Sequence, residues 1–122
     1  LRANLYLEEE RWQDALNDYD KAATLDAASI PALSGQAFAL AKLDRLPEAI
    51  DKNLQILALA PADFTAQKNL ALLYRDNGQM EEALRYANAA LSVAPDNERA
   101  GIESLIQELT TAGTGGATTP GG

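Results

Sequence analysis

The chain contains no cysteine and no histidine. Without thiols it can form neither disulfides nor zinc–thiolate sites, and it has no thiolate nucleophile. Without imidazole it can build neither a histidine-based triad nor a histidine-ligated metal centre. Carboxylates, Lys, Tyr, Ser and Thr remain. Ser34 has no base near it in sequence, and the three glutamates of "LEEERW" at residues 7–12 lack the alternating pattern of a calcium loop. No active site, metal or cofactor is expected, and the chain reads as a non-enzyme. Positive charge is also scarce: ten Lys and Arg against eighteen Asp and Glu give a net charge of −8. That balance repels phosphate backbones and anionic lipid, which argues against a nucleic-acid partner. Long apolar runs are missing too. The stretch from Asn53 to Ala62 carries no charge but is too short to span a bilayer, so no membrane insertion is expected. The opening residues lack the charged-then-apolar form of a signal peptide, and compartment stays open between cytoplasm and periplasm, with cytoplasm slightly favoured.

What the sequence does contain is a repetition. "PEAIDKNLQILALAP" at residues 47–61 returns as "EEALRYANAALSVAP" at residues 81–95, and a worn version, "QDALNDYDKAATLDA", stands at residues 13–27. The spacing is 34 residues each time. In that register small residues meet small ones (Ala3, Ala37, Ala71; Ala15, Ala49, Ala83). Bulky residues meet bulky ones (Tyr6, Leu40, Tyr74; Trp12, Leu46, Met80; Leu16, Ile50, Leu84; Leu25, Leu59, Val93). Antiparallel helix pairs need this arrangement, with large side chains between helices and alanines where two backbones approach. Helical period agrees, since Leu70 and Tyr74 are one turn apart, as are Ala83 and Ala87. Pro61 and Pro95 close the second helices, Asp63 and Asn97 are placed to cap the next ones, and Gly78 supplies a left-handed turn in "DNGQ". The matching turn in the preceding unit is "KLDRLP" at residues 42–47. Each unit is one supersecondary element that needs a neighbour to cover its apolar face.

These columns resemble the tetratricopeptide repeat. Residues 64–97 are similar to that family's unit along their whole length, at Leu70, Ala71, Tyr74, Gly78, Ala83, Ala90 and Pro95. Residues 30–63 match at Ala37, Leu40, Ala49 and Pro61, with Asn53 and Ile56 where an aromatic and a small residue are usual. Residues 1–29 resemble a truncated unit, through Ala3, Tyr6, Ala15, Tyr19 and Ala22, with Ala27 in place of the closing proline. The resemblance implies an all-α fold, a right-handed superhelical solenoid of antiparallel helix pairs.

Residues 98–110 read as a capping helix with an apolar stripe of Ile102, Leu105, Ile106 and Leu109. Its register departs from the repeats, because Ser104 and Glu108 fall where the units keep packing residues. The helix is therefore either rotated about its axis or leaves Ile102, Ile106 and Leu109 partly uncovered for a partner. Residues 111–122, "TAGTGGATTPGG", have no large side chain and no charge, and are expected to form a flexible tail.

In stacked helix pairs the first helices line a concave face. The residues pointing away from the packing columns are Thr65, Lys68, Leu72 and Arg75 in the third unit, with Asp76 at the edge; Pro31, Ser34, Phe38, Ala41 and Lys42 in the second; and Asn4, Leu7 and Glu8 in the first. The expected groove is therefore lined by Asn4, Leu7, Ser34, Phe38, Lys42, Lys68, Leu72 and Arg75, with Leu7, Phe38 and Leu72 as an apolar strip. The predicted first helices of units two and three hold three basic residues, Lys42, Lys68 and Arg75, and all three fall on this face. Local positive potential in an acidic chain favours a peptide segment with acidic and apolar side chains. In co-chaperones of the family such grooves grip a C-terminal carboxylate with a basic and Asn clamp; Lys68 sits at one such place, but Ser34, Phe38 and Leu72 occupy others where polar or basic groups would be wanted, so an internal segment is the expected ligand. Trp12 shares a column with Leu46 and Met80 and reads as core. The function expected is a protein-interaction scaffold. The alternative is an assembly module of an oligomer or larger complex, working through its convex face, array ends or terminal helix, with an apolar interface around Ile102, Ile106 and Leu109.

Overall fold

The computed structural model describes residues 2–118, and the side chains of residues 8–112. Those residues form six helices and no strands: α1 (Arg2–Leu25), α2 (Ile30–Lys42), α3 (Leu46–Leu59), α4 (Phe64–Asp76), α5 (Met80–Val93) and α6 (Asp96–Thr118). The architecture is an all-α helical repeat. The chain divides into two compact units, Leu1–Pro61 and Ala62–Gly122. In the first, α1 packs on α2 and α2 on α3; in the second, α4 packs on α5 and α5 on α6.

Local chemistry sets the helix ends. Ser29 caps α2 by accepting the Ala32 amide at 3.2 Å, and Asp63 caps α4 by accepting the Ala66 amide at 2.9 Å. Pro31 and Pro47 sit in the first turns of α2 and α3, where a missing amide hydrogen costs nothing. The two hairpin turns are built alike. Gly78 has φ 79°, and Asp44, one repeat earlier, has φ 60°. Both are left-handed, and both let the chain reverse after a first helix. Asn97 does not act as the expected cap, because α6 already starts at Asp96 and Asn97 lies inside its first turn.

The first unit departs from the expected hairpin. Glu10 stands in phase with Asp44 and Gly78, yet α1 runs through it as a single helix of 24 residues. The reason is in the sequence: "EEER" offers strong helix formers and no Gly, Asn or Asp to take a left-handed conformation. Columns that two complete hairpins bury are consequently open in α1. Ala49, Asn53 and Ile56 in α3 are buried, as are Ala83, Ala87 and Ala90 in α5. Their counterparts in α1 are the half-buried Ala15 and the exposed Tyr19 and Ala22.

Elsewhere the small and large columns pack as their spacing requires. In unit 2, Ala71, Ala83 and Ala87 are buried with Leu105 and Leu109, flanked by Tyr74, Met80, Leu84 and Ile106. Asn53, buried where an aromatic is usual, is satisfied by donating from Nδ2 to the Ala49 carbonyl at 3.1 Å. One column fails: Leu25, Leu59 and Val93, each the last residue of its helix, are all exposed.

α6 resolves the register question of the terminal segment. Ile102, Leu105 and Leu109 are buried and Ile106 is half-buried, so the helix is rotated about its axis. The helix continues to Thr118, beyond the expected end at Thr110, and the last four residues of the expected tail lie outside the described residues.

Candidate interaction site

The residues picked out by the sequence fall into two sets, one in each unit. Asn4 and Leu7 belong to α1, but their side chains lie outside the described residues. Ser34, Phe38 and Lys42 are spaced four apart on α2 and so share one face. Ser34 is half-buried, whereas Phe38 is 56% exposed.

A neighbour that the sequence assigned to the core completes the first set. Trp12 is only half-buried, and its ring meets Phe38 edge to face, with centroids 5.2 Å apart at 74°. The Lys42 ammonium lies 5.4 Å from the Phe38 centroid and 5.9 Å from that of Trp12, within cation–π range of both. Trp12, Lys42, Glu8, Arg11 and Ala15 line a cavity of about 500 Å³. This cavity follows from the unbroken α1, since no turn brings a covering helix over Trp12 and Ala15. The only sequence signal for Trp12 as a surface residue was the lack of turn chemistry at Glu10.

In the second set Lys68, Leu72 and Arg75 do share a face, but that face is occupied by the chain itself. Lys68 Nζ pairs with Glu98 Oε1 at 3.3 Å, and Arg75 Nη1 pairs with Glu108 Oε2 at 3.3 Å. Arg75 Nε also donates to Asp76 Oδ1 at 3.1 Å. Two cations thus face three carboxylates, and the positive potential expected here from the first helices alone is cancelled locally. Asp76 stands at the edge of this face in the sequence, but Glu98 and Glu108 were missed because they lie 30 and 33 residues from their partners. Lys42 differs: among the described residues its contacts are with the two rings, and no carboxylate pairs with it.

The terminal-helix interface expected of an assembly module is not available. Ile102 and Leu109 are buried within the chain, leaving Ile106 half-buried. Among the described residues no group of acidic side chains is arranged to hold a metal ion, and no helix is long and apolar enough to cross a membrane.

Antiparallel helix pairs with a left-handed turn at a fixed phase, alanine columns at their crossings and an outward row on each first helix define a helical-repeat protein. Residues 64–97 match the family model of the tetratricopeptide repeat, and the fold of the chain is similar to that of solved tetratricopeptide-repeat structures. Mouse sperm-associated antigen 1 is 33% identical over 75 residues, 62% of this chain and 8% of that protein. A probable UDP-N-acetylglucosamine–peptide N-acetylglucosaminyltransferase, SPINDLY, of barley (Hordeum vulgare) is 28% identical over 112 residues, 92% of this chain and 12% of that protein. The chain therefore spans about a tenth of the length of these curated relatives. Among solved structures, the first TPR of Spaghetti (RPAP3) bound to the HSP90 peptide SRMEEVD has a TM-score of 0.77 at 18% identity, covering 91% of this chain and 86% of that one.

Proposed function

We propose that the chain is a protein-interaction module that receives a peptide segment of apolar and acidic character, anchored in unit 1 by Phe38, Trp12 and Lys42. The observation that carries this reading is the exposed Phe38 ring, held edge to face by Trp12 beside an ammonium that forms no ion pair among the described residues. An aliphatic side chain would cover the ring and enter the adjoining cavity, while a neighbouring carboxylate would replace water on Lys42. Burying an exposed aromatic anchor and pairing a rim charge are the ordinary sources of affinity and orientation in such contacts. A solved structure of similar fold supports the ligand class, because its bound peptide SRMEEVD mixes Met and Val with three acidic residues. An internal segment is the expected form, since Ser34 and Phe38 offer no clamp for a free carboxylate.

The test is a titration of the chain with the peptide Glu-Leu-Leu-Glu-Leu-Leu-Glu, blocked at both ends, followed by calorimetry. Phe38→Ala and Lys42→Glu should each weaken binding about tenfold or more, as expected for a truncated anchor, with the melting temperature unchanged. Equal binding by wild type and both variants would remove the reading. A markedly tighter fit for the same peptide with a free C-terminus would instead favour a carboxylate clamp.

A further inference from the structure

The cleft between α4 and α6 has the parts of a second acid-binding site, already filled from within. Lys68 and Arg75 are seven residues apart, which places them about 10 Å apart along α4, with Leu72 between them. The opposite wall is Ile102 and Leu105 of α6, and the cleft measures about 270 Å³. Its two cations are each met at 3.3 Å by a carboxylate of α6, from Glu98 and Glu108.

We propose that this cleft binds an acidic segment of the same chemical class as unit 1 does, and that Glu98 and Glu108 mask it as built-in competitors. The proposal rests on the reading that the partner is acidic and apolar. Relative energies make the mask removable. α6 is held by the burial of Ile102, Leu105 and Leu109, three large apolar side chains removed from water. The two ion pairs are only partly buried, with side chains 30–58% exposed, and pairs so open to water hold weakly. A ligand can therefore exchange carboxylates with Glu98 and Glu108 by side-chain rotation while the helix stays docked. What the mask changes is selectivity, because a single acidic group gains nothing by replacing one already in place. A segment with two carboxylates about 10 Å apart and an aliphatic side chain between them gains the Leu72 contact as well. In an extended polyproline-type conformation, residues three apart lie on one edge at about 9 Å, so acidic residues at every third position fit both cations.

The experiment compares the wild-type chain with Glu98→Gln/Glu108→Gln, titrating each with the blocked Glu-Leu-Leu-Glu-Leu-Leu-Glu peptide and following backbone amide shifts by ¹⁵N NMR. Phe38 reports unit 1 and Leu72 reports the α4–α6 cleft. Neutralising the two glutamates should make Leu72 respond with an affinity roughly five- to tenfold above wild type, the size set by two partly exposed pairs, while amide dispersion stays that of the folded chain. An equal Leu72 response in both forms, or none in the variant, overturns the mask. Either result with Phe38 still responding leaves the unit 1 site intact. A Leu72 response confined to the variant, with Phe38 silent in both, upholds the mask and removes the unit 1 site. Silence of both reporters in both forms removes the two together. The Gln-substituted peptide, Gln-Leu-Leu-Gln-Leu-Leu-Gln, should leave Leu72 unmoved; an equal response to it would also overturn the mask.

Discussion

The ring of Tyr19 on α1 occupies the space where a β-carbon on Gly35 would stand. The two helices approach so closely because Gly35 has no side chain, and the Tyr19 ring lies over the α2 backbone as its cover. Gly35→Ala must therefore push the ring outward, and Tyr19, already 38% exposed, has solvent to move into. The expected cost is about 1–3 kcal/mol, the range for overpacking. Urea midpoints of Gly35→Ala, Tyr19→Ala and the double variant form a cycle. The double variant should be less destabilised than the sum of the singles, since removing the ring removes the clash; strict additivity would mean the two residues do not meet.

Asp44 and Gly78 hold left-handed torsions one repeat apart, at φ 60° and 79°. Only the second is free of β-carbon strain. Gly78→Ala should destabilise by roughly 1–2 kcal/mol, the left-handed penalty of an L-residue, although a β-carbon there would meet no neighbour. Asp44→Gly should be neutral to stabilising by up to about 1 kcal/mol. Chemical denaturation of the two variants checks the pair, and a costly Asp44→Gly would show that the aspartate side chain matters more than its backbone.

Alanines of one sequence column differ in their surroundings. Ala49 and Ala83 have no exposed surface, whereas Ala15 borders the open cavity beside Trp12. Leucine at residue 49 or 83 should cost several kcal/mol, on the order of 2–4, because two helix backbones must part. Leucine at residue 15 should cost less than about 1 kcal/mol. Thermal melts of Ala15→Leu, Ala49→Leu and Ala83→Leu would rank them, and a loss at residue 15 as large as at residue 83 would contradict the open face of α1.

Tyr74 stacks on Tyr86 with ring centroids 5.6 Å apart, and burial, followed by the charge of Tyr86 and Glu82, pushes its phenol pKa above the ordinary value. A raised value means the folded chain holds the proton more tightly than the unfolded chain. The resulting stability is complete below the unfolded pKa of about 10 and is lost as pH rises through the folded one. Denaturant unfolding on either side of that point should show a decline for the wild type that is shallower in Tyr74→Phe. Parallel declines would place the alkaline sensitivity elsewhere.

The period of 34 made the helix pairs, the left-handed Gly78 and the burial of Ala49 and Ala83 readable, because each depends on contacts within one hairpin. The same logic exposed Phe38 and Lys42, which simply point away from those contacts. Lys68 and Arg75 share one face of α4, as their spacing requires, but their surroundings were not legible, since Glu98 and Glu108 come from a helix whose rotation no column records. Trp12 is only half-buried, for the opposite reason. Its column assumes a hairpin at Glu10, and helix propensity there overrides the repeat. Leu25, Leu59 and Val93 show a further limit: periodicity registers that a residue recurs, and says nothing of whether it is covered at the end of its helix.

The passage of α1 straight through Glu10, where two later turns reverse the chain, puts the choice between rod and corner on one torsion per repeat. A single nucleotide change converts a glutamate codon into a glycine codon. Straight and folded forms of such a segment are thus mutational neighbours, and an array can gain or lose a bend without altering any of the alanines that hold its helices together.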